Sequence, residues 1–160
     1  MGNPGSELIS DKGLLMNHSS AKALCQRYCE LFSQLTPQTL DQFATCVSDD
    51  IHFKDPFNDV VGFDQMRKIL SDMFEHTEGP AFNVCEQSVF EDHAWIRWQF
   101  NATLPVVGKL SVDGASRIQM DTYQGVVTEH LDFWDSAPIY MQLPMLGRIL
   151  RAIRQRMSIE

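Results

Sequence analysis

The spacing of apolar residues changes once along this chain, near residue 81, and that change limits the possible folds more than any other feature. Before it, apolar side chains recur every three or four residues, which is the period of one helical face. After it, they alternate with polar side chains, which is the period of a half-buried strand. Helices that precede a run of strands, rather than alternating with them, predict an α+β domain.

The first half of the chain predicts a leader, three helices and a short strand. Residues 1–17 show little periodicity and predict a disordered leader. Helix-capping and helix-stopping residues bound helices over about 19–36, 37–48 and 63–79. Residues 51–54 alternate as a short strand between the second and third helices.

The second half predicts an antiparallel meander. Strand candidates cover about 82–90, 93–103, 109–121 and 124–134, and only a few residues separate them. Such short connections join antiparallel neighbours. A strongly curved sheet of this kind, with helices on its concave side, would enclose a pocket for a small ligand.

Composition excludes several classes of protein. The 160 residues suit one domain, and 44% hydrophobic with 21% charged residues is typical of a globular chain. The net charge of −8 argues against non-specific nucleic-acid binding. We find no secretory signal and no apolar run near the roughly 18 residues of a membrane span. A cytoplasmic protein with reduced, mostly buried cysteines and no zinc site is therefore expected.

Two stretches carry a resemblance to a known superfamily. They are Gln26-Arg27-Tyr28 with Ser48-Asp49-Asp50, Asp55-Pro56 and Gly62, and the run Glu129 to Asp135 followed by Gln142-Leu143. Together with the order of elements, they resemble the nuclear transport factor 2-like superfamily, which includes ketosteroid isomerase and the SnoaL-like polyketide cyclases. The resemblance implies a cone-shaped α+β barrel over residues 18–143, with helices packed on a mixed, mainly antiparallel sheet. This fold hosts isomerases, cyclases, hydrolases and binding proteins.

Asp55 and Tyr28 are candidate catalytic residues. Asp55 ends the short strand between Phe53 and Phe57, and a positioned carboxylate beside aromatic rings suits a general base. The resemblance places it where the isomerase has its proton-shuttling aspartate, and it matches Tyr28 to the tyrosine of the oxyanion hole. The alternatives are that Asp55 caps a turn and that Tyr28 is a core residue.

The last strand offers further candidates. Alternation places Glu129, Leu131, Phe133 and Asp135 on one face, which by resemblance is the pocket face. Asp135 matches the acid/base aspartate of the SnoaL-like cyclases, and it would alternatively cap the last helix. Glu129 is a second candidate acid, and Leu131 and Phe133 are expected to contact substrate.

The opposite face of the last strand would carry His130, Asp132 and Trp134. There His130 and Asp132 are expected to pair with Arg97 or Arg117 across the sheet. We interpret this cluster as part of a homodimer interface or a surface network rather than as an active site or a metal site.

The neighbouring strands complete the predicted pocket. Ser116 aligns with the second acid of the isomerase, and because serine is a weaker donor, steroid isomerisation itself is in doubt. The same alignment by resemblance gives Trp98, Phe100, Ile118 and Met120 as the other pocket-facing residues on these strands. They predict an apolar, flat-walled cavity, although the same residues would also fill a core without a ligand.

The chain ends in a basic amphipathic segment, residues 144–160. Its apolar residues recur at helical spacing, and Pro144 and Gly147 are expected to divide the final helical stretch into two pieces. Residues 148–160 contain four arginines and one glutamate. Such a helix would pack on its own acidic domain or across a dimer, or it would lie on an anionic membrane surface.

These features together predict a small-molecule pocket protein. The first hypothesis is an enzyme without cofactor or metal that moves a proton next to a carbonyl in an apolar substrate. Asp55 or Asp135 would be the acid/base, and Tyr28 would stabilise the enolate oxygen. The alternatives are a binding module with the same pocket and no turnover, and an interaction protein that works through the basic segment.

Overall fold

The computed structural model of the chain describes residues 5–143 and 146–157. Its elements in chain order are helix α1 (Gly5–Ser33), a 3-10 helix (Leu40–Thr45), strands β1 (Val47–Lys54) and β2 (Asp59–Val61), helix α2 (Phe63–His76), strands β3 (Glu78–Val89), β4 (His93–Leu104), β5 (Gly108–Asp121) and β6 (Val126–Trp134), and helices α3 (Ala137–Met141) and α4 (Leu146–Met157). Apart from β2, this order is the predicted one. None of the helices described is both long and apolar enough to cross a membrane.

All six strands form one curved sheet in the order β2-β1-β6-β5-β4-β3. Strands β3 to β6 make the predicted antiparallel meander, while β1 pairs parallel with β6 and antiparallel with β2. Helix α1 packs mainly on β3, and α2 contacts β1 and β3. The α+β class and the mixed, mainly antiparallel sheet are therefore confirmed.

The core lies between the sheet and the N-terminal helices. One face of α1 is buried, and it comprises Ala21, Leu24, Cys25, Tyr28, Cys29 and Phe32. The ring of Tyr28 meets Phe32 and Phe43 edge to face, with centroids 5.2 and 5.7 Å apart. Edge-to-face pairs stabilise a core beyond the area that they bury. Tyr28 is thus fixed by packing on two sides.

The first half differs from prediction at two places. Helix α1 extends back to Gly5, so residues 5–17 are helical where the sequence predicts a disordered leader. Residues 6–33 contain no proline, and Gly13, the one glycine among them, costs a helix only about 1 kcal/mol, so nothing there interrupts the helix. Residues 1–4 lie outside the described part of the chain. The stretch predicted as a second α-helix is a single 3-10 segment, a common form for a short connection.

The pairing of β6 with β5 contains a bulge at Thr128. Gln119 lies opposite Glu129 and Met120 lies opposite Val127, so Thr128 has no partner residue on β5. A bulge adds one residue to one strand, and every side chain beyond it changes face. The simple alternation assumed from the sequence is therefore interrupted in the middle of the candidate site.

Beyond this bulge, the faces of β6 are opposite to the prediction. His130 is only 3% exposed, whereas Phe133 is 52% exposed. The inward residues are His130, Asp132 and Trp134, and the outward ones are Glu129, Leu131 and Phe133. The placement of Glu129, Leu131 and Phe133 in the pocket is wrong, as is the placement of His130 and Asp132 on the outer face.

Glu129 takes the outer-face role that was predicted for its neighbours. Arg117 donates to it at 3.0 Å, and Nδ1 of His52 lies 3.2 Å from its other oxygen. Phe133 packs beside Trp95 on the same face, with ring centroids 5.8 Å apart. Arg97 pairs with Glu86 at 3.1 Å rather than with a residue of β6.

The final helical stretch is divided in two, as predicted, although Gly147 lies within the second helix and Pro144 lies outside the described residues. Helix α3 ends at Met141, and α4 begins at Leu146. The backbone N–H of Gly147 donates to the carbonyl of Leu143 at 2.8 Å. The two helices pack against each other.

Candidate functional site

Five side chains from four elements form one buried hydrogen-bonded chain. The hydroxyl of Tyr28 on α1 lies 2.7 Å from Nδ1 of His130 on β6, and Nε2 of His130 lies 2.6 Å from Oδ1 of Asp132. Ser116 on β5 donates its hydroxyl to the same oxygen. The indole N–H of Trp98 on β4 donates to Ser116 at 2.7 Å. One carboxylate therefore joins groups from a helix and three strands.

The register of the sheet explains why these side chains meet. Ser116 lies directly opposite Asp132, so the two side chains share a face. Trp98 lies opposite Gly114, and a Cβ at position 114 would overlap the indole ring. The glycine therefore leaves room for the indole against β5, within reach of Ser116.

The carboxylate of Asp132 fixes the direction of these hydrogen bonds. A carboxylate can only accept, so Nε2 of His130 carries a proton and donates to Oδ1. A neutral imidazole protonated on Nε2 accepts at Nδ1, where the Tyr28 hydroxyl donates a hydrogen bond to it. Burial raises the pKa of Tyr28 well above its ordinary value, and the charge of Asp132 adds to the effect, so the phenol stays protonated. Every donor in the chain thus points toward Oδ1 of Asp132.

A cavity of about 250 Å³ lies next to this chain. Its walls are mostly apolar or aromatic, and they are formed by Phe32, Phe53, Asp55, Phe57, Asn58, Ile69, Leu70, Met73, Thr77, Phe82, Phe100, Leu104, Leu110, Val112, Asp132, Trp134 and Ile139. A cleft of about 20 Å³ shares Phe32, Phe82 and Asp132 with the cavity and adds His130, Ser116 and Trp98. Asp132 therefore stands between the buried chain and the open space.

The second oxygen of Asp132 is available to a molecule in the cavity. Both hydrogen bonds to this carboxylate end on Oδ1, and no group within residues 5–143 and 146–157 donates to Oδ2. The side chain as a whole is 14% exposed. A carboxylate oxygen in this state can accept a hydrogen bond or a proton.

Asp55 lies on the cavity wall, but its oxygens hold a turn. The backbone N–H groups of Phe57 and Asn58 both donate to Oδ1 at 2.7 Å. The side-chain amide of Asn58 lies 3.0 Å from each carboxylate oxygen. This is the turn-capping alternative for Asp55.

The structure does not bring the three predicted catalytic residues together. Asp135 is exposed, lines neither the cavity nor the cleft, and accepts the backbone N–H of Ala137 at 2.9 Å, so it caps α3. Tyr28 is fully buried and approaches the cleft only through His130. The prediction that Tyr28, Asp55 and Asp135 border one cavity is therefore wrong.

The predicted pocket residues on β4 and β5 do face inward. Phe100 lines the cavity, and Trp98 and Ser116 line the cleft. Ile118 and Met120 are buried in the core at 0% and 3% exposure. The five residues keep the predicted inward face because no bulge interrupts the pairing of β4 with β5, but Ile118 and Met120 line neither the cavity nor the cleft.

Sequence reasoning missed His130 and Asp132 as site residues. One signal in the sequence favoured the observed inward and outward faces of β6. Arg117 and Glu129 carry opposite charges, and they pair on the outer face at 3.0 Å. That pairing places the next residue, His130, inside. Within the described part of the chain, no group of three or more His, Cys, Asp or Glu side chains is arranged to hold a metal ion.

Comparison with known proteins gives the family. A SnoaL-like domain matches residues 26–135, which is more than half of the chain. No curated protein sequence matches.

Similar solved structures include TsrD from Streptomyces laurentii, at 19% identity and a TM-score of 0.62, with 79% of this chain and 96% of that chain covered. A SnoaL-like polyketide cyclase from Agrobacterium tumefaciens is 17% identical, with a TM-score of 0.61 and coverage of 77% and 97%. A protein with a ketosteroid isomerase-like fold from Catenulispora acidiphila is 13% identical, with a TM-score of 0.63 and coverage of 74% and 90%. At these identities the likeness establishes the fold. The sequence match over residues 26–135 shows that the chain belongs to the SnoaL-like family.

Proposed function

We propose that this protein catalyses a cofactor-independent proton transfer next to a carbonyl in a small apolar molecule, with Asp132 as the acid/base. The observation that carries the proposal is the position of Asp132, whose Oδ1 is held by Ser116 and His130 while its side chain borders the cavity. A general base must be fixed within reach of the substrate. The role assigned to Asp55 or Asp135 from the sequence passes to Asp132.

The proposed reaction uses Asp132 alone for the proton. Its Oδ2 removes a proton from the carbon next to the carbonyl, and the carboxyl group holds that proton while the substrate is an enolate. The proton then returns to a different carbon in an isomerisation, or it goes to the new oxygen when the enolate carbon attacks a second carbonyl and closes a ring. Apolar walls support this chemistry because they exclude water from the reacting carbon.

The rest of the buried chain keeps Asp132 in place. Ser116 and His130 fix Oδ1, and no group in the described part of the chain donates to Oδ2. Tyr28 is a positioning residue, since its hydroxyl contacts His130 rather than the cavity. This role replaces the predicted one, in which Tyr28 donates directly to the enolate oxygen.

The cavity indicates a flat, ring-containing substrate. An apolar cavity of about 150 Å³ can hold benzene, so about 250 Å³ accommodates a molecule of one or two rings. Phe53, Phe82, Phe100 and Trp134 provide aromatic walls suited to such a molecule. The structurally similar Agrobacterium tumefaciens protein is a SnoaL-like polyketide cyclase. We therefore take aromatic or polyketide-type ketones as the substrate class.

The test is exchange of the carbon-bound protons of candidate ketones in deuterated buffer, followed by NMR. This assay detects the first proton transfer without knowledge of the final product. A panel of one-ring and two-ring ketones and 1,3-diketones is screened first with the wild-type protein. Asp132→Asn keeps the shape of the side chain and should reduce the exchange rate by roughly 10²–10⁴-fold.

Asp135→Asn is the matched control. It makes the same chemical change three residues away, at a carboxylate that only caps α3, and it should leave exchange unchanged. An equal loss of exchange rate in the two variants would show that Asp132 is not the acid/base. If the wild-type protein binds ketones in native mass spectrometry but never exchanges their protons, the enzyme proposal fails and the protein is a binding module of the same fold.

A further inference from the structure

Helix α4 has an apolar face that is largely exposed in the described part of the chain. At about 100° per residue, Leu146, Ile149, Leu150, Ile153 and Met157 fall within an arc of about 100°. Four of them, Leu146, Ile149, Ile153 and Met157, are 41%, 59%, 49% and 80% exposed. We call these five residues the apolar stripe. Single exposed apolar residues are common, but a continuous stripe on one helix indicates a binding surface.

A different side of α4 attaches it to the domain. Gly147 lies so close to the carbonyl of Met141 that a Cβ would overlap it, and Arg151 donates to that carbonyl oxygen at 2.8 Å. Arg154 approaches the sulfur of Met141 at 4.0 Å. By the same helical geometry, Gly147, Arg151 and Arg154 lie roughly a quarter turn or more from the centre of the apolar stripe. The contact with α3 therefore leaves the stripe facing away from α3.

The remaining surface of α4 is basic. The helix contains four arginines and no acidic residue, whereas the rest of the chain contains nine basic and 21 acidic residues. Arg154 and Arg156 flank the apolar stripe on its two sides. An apolar stripe between basic side chains is the pattern of helices that lie in a membrane interface, because the arginines reach lipid phosphates while the apolar side chains enter the acyl boundary.

We propose that α4 docks this protein onto the surface of membranes that contain anionic lipids. The charge of the helix favours this partner over the α4 of a second copy, which would bring like-charged arginines together. The location also suits the cavity, because α3, which holds α4, contributes Ile139 to the cavity wall. Docking would place that wall near a membrane, where apolar molecules concentrate. The proposal does not depend on the chemistry of Asp132.

The test is co-sedimentation of the full chain with vesicles at low ionic strength. Mixed phosphatidylcholine–phosphatidylglycerol vesicles should bind the protein, and pure phosphatidylcholine vesicles should bind it at least ten-fold more weakly. Ile149→Asp with Ile153→Asp should abolish binding, and Arg156→Gln alone should weaken it about five-fold. Tyr123→Asp is the control, since Tyr123 is 90% exposed in the turn before β6, at the opposite end of that strand from α3.

Two results would overturn the proposal. One is wild-type protein that stays in the supernatant with anionic vesicles at low salt. The other is a wild-type dimer that the double aspartate variant converts to a monomer in light scattering while vesicle binding is unchanged, because a second copy would then cover the stripe. Circular dichroism of every variant shows whether the domain is folded, and Arg156→Gln keeps the proposal testable if the double variant is not.

Discussion

Replacing Tyr28 with phenylalanine tests the buried chain at the end farthest from the cavity. The ring remains, so the edge-to-face contacts with Phe32 and Phe43 are kept. Only the hydroxyl that lies 2.7 Å from Nδ1 of His130 is lost. A buried acceptor without a donor costs about 1–3 kcal/mol. We expect the free energy of unfolding to fall by about 2 kcal/mol, which is a decrease in Tm of roughly 4–8 °C for a chain of this length.

Urea unfolding at neutral pH, followed by tryptophan fluorescence, measures this change. Tyr123→Phe is the control because Tyr123 is 90% exposed, and its stability should change by less than about 0.5 kcal/mol. If Tyr28→Phe is as stable as the control, the hydroxyl does not satisfy a buried acceptor, and the direction assigned to the hydrogen-bonded chain is incorrect.

The same variant has a second signature at alkaline pH. Burial raises the pKa of Tyr28 above its ordinary value of 10.0. A group whose pKa is raised by folding contributes stability that is present below the unfolded pKa and is lost as the pH rises through the folded pKa. The stability advantage of the wild type over Tyr28→Phe should therefore narrow above a pH of about 10. An advantage that stays constant or widens there would contradict burial of a protonated phenol.

Three further changes test the surroundings of the site. Gly114→Ala should push a methyl group into the ring of Trp98, lower the free energy of unfolding in urea by roughly 1–3 kcal/mol and shift the tryptophan emission. Unchanged emission would show that the indole does not need this space. Phe43→Ala removes a fully buried ring and should cost about 3–5 kcal/mol; a loss below about 1 kcal/mol would contradict the close packing. Hydrogen bonding, chiefly to Asp59, raises the pKa of His52 above its ordinary value of 6.5. The stability that protonated His52 contributes is therefore complete below the pKa of the unfolded state and is lost as the pH rises through the raised pKa of the folded state. His52→Gln should flatten that dependence in thermal unfolding between pH about 6 and 8, and an unchanged slope would refute the pairing.

The order of helices and strands was predictable because it depends on local patterns. The spacing of apolar residues changes near residue 81, at the start of the meander. The helix-stopping pair Thr36-Pro37 follows shortly after the end of α1 at Ser33. Burial of α1 along a single face follows from the spacing of its apolar residues. Strand β2 was not predictable, because its three residues are too few to show a period.

The inward face of β6 could not be predicted, because a non-local contact determines it. Threonine is not a residue type that marks a bulge in a sequence. The bulge at Thr128 exists only in the register of β6 with β5. Strands β4 and β5 pair without such an interruption, so Trp98 and Ser116 lie on the predicted face. One added residue in β6 thus explains why the faces of His130 and Asp132 were predicted wrongly while those of Trp98 and Ser116 were predicted correctly.

The three aspartates considered for catalysis differ in the origin of their hydrogen-bond donors. Asp55 and Asp135 accept from groups within three residues of their own positions, and Pro56 and Pro138 make those turns visible in the sequence. Asp132 accepts from His130 and from Ser116, which is 16 residues away on another strand. A carboxylate that caps a turn is held by the backbone that it stabilises, so its removal acts first on local structure. A carboxylate held by side chains on a paired sheet can keep one oxygen fixed and present the other to a ligand. Comparing Asp132→Asn with Asp135→Asn therefore separates chemistry from capping, because Asp132 borders the cavity and Asp135 does not.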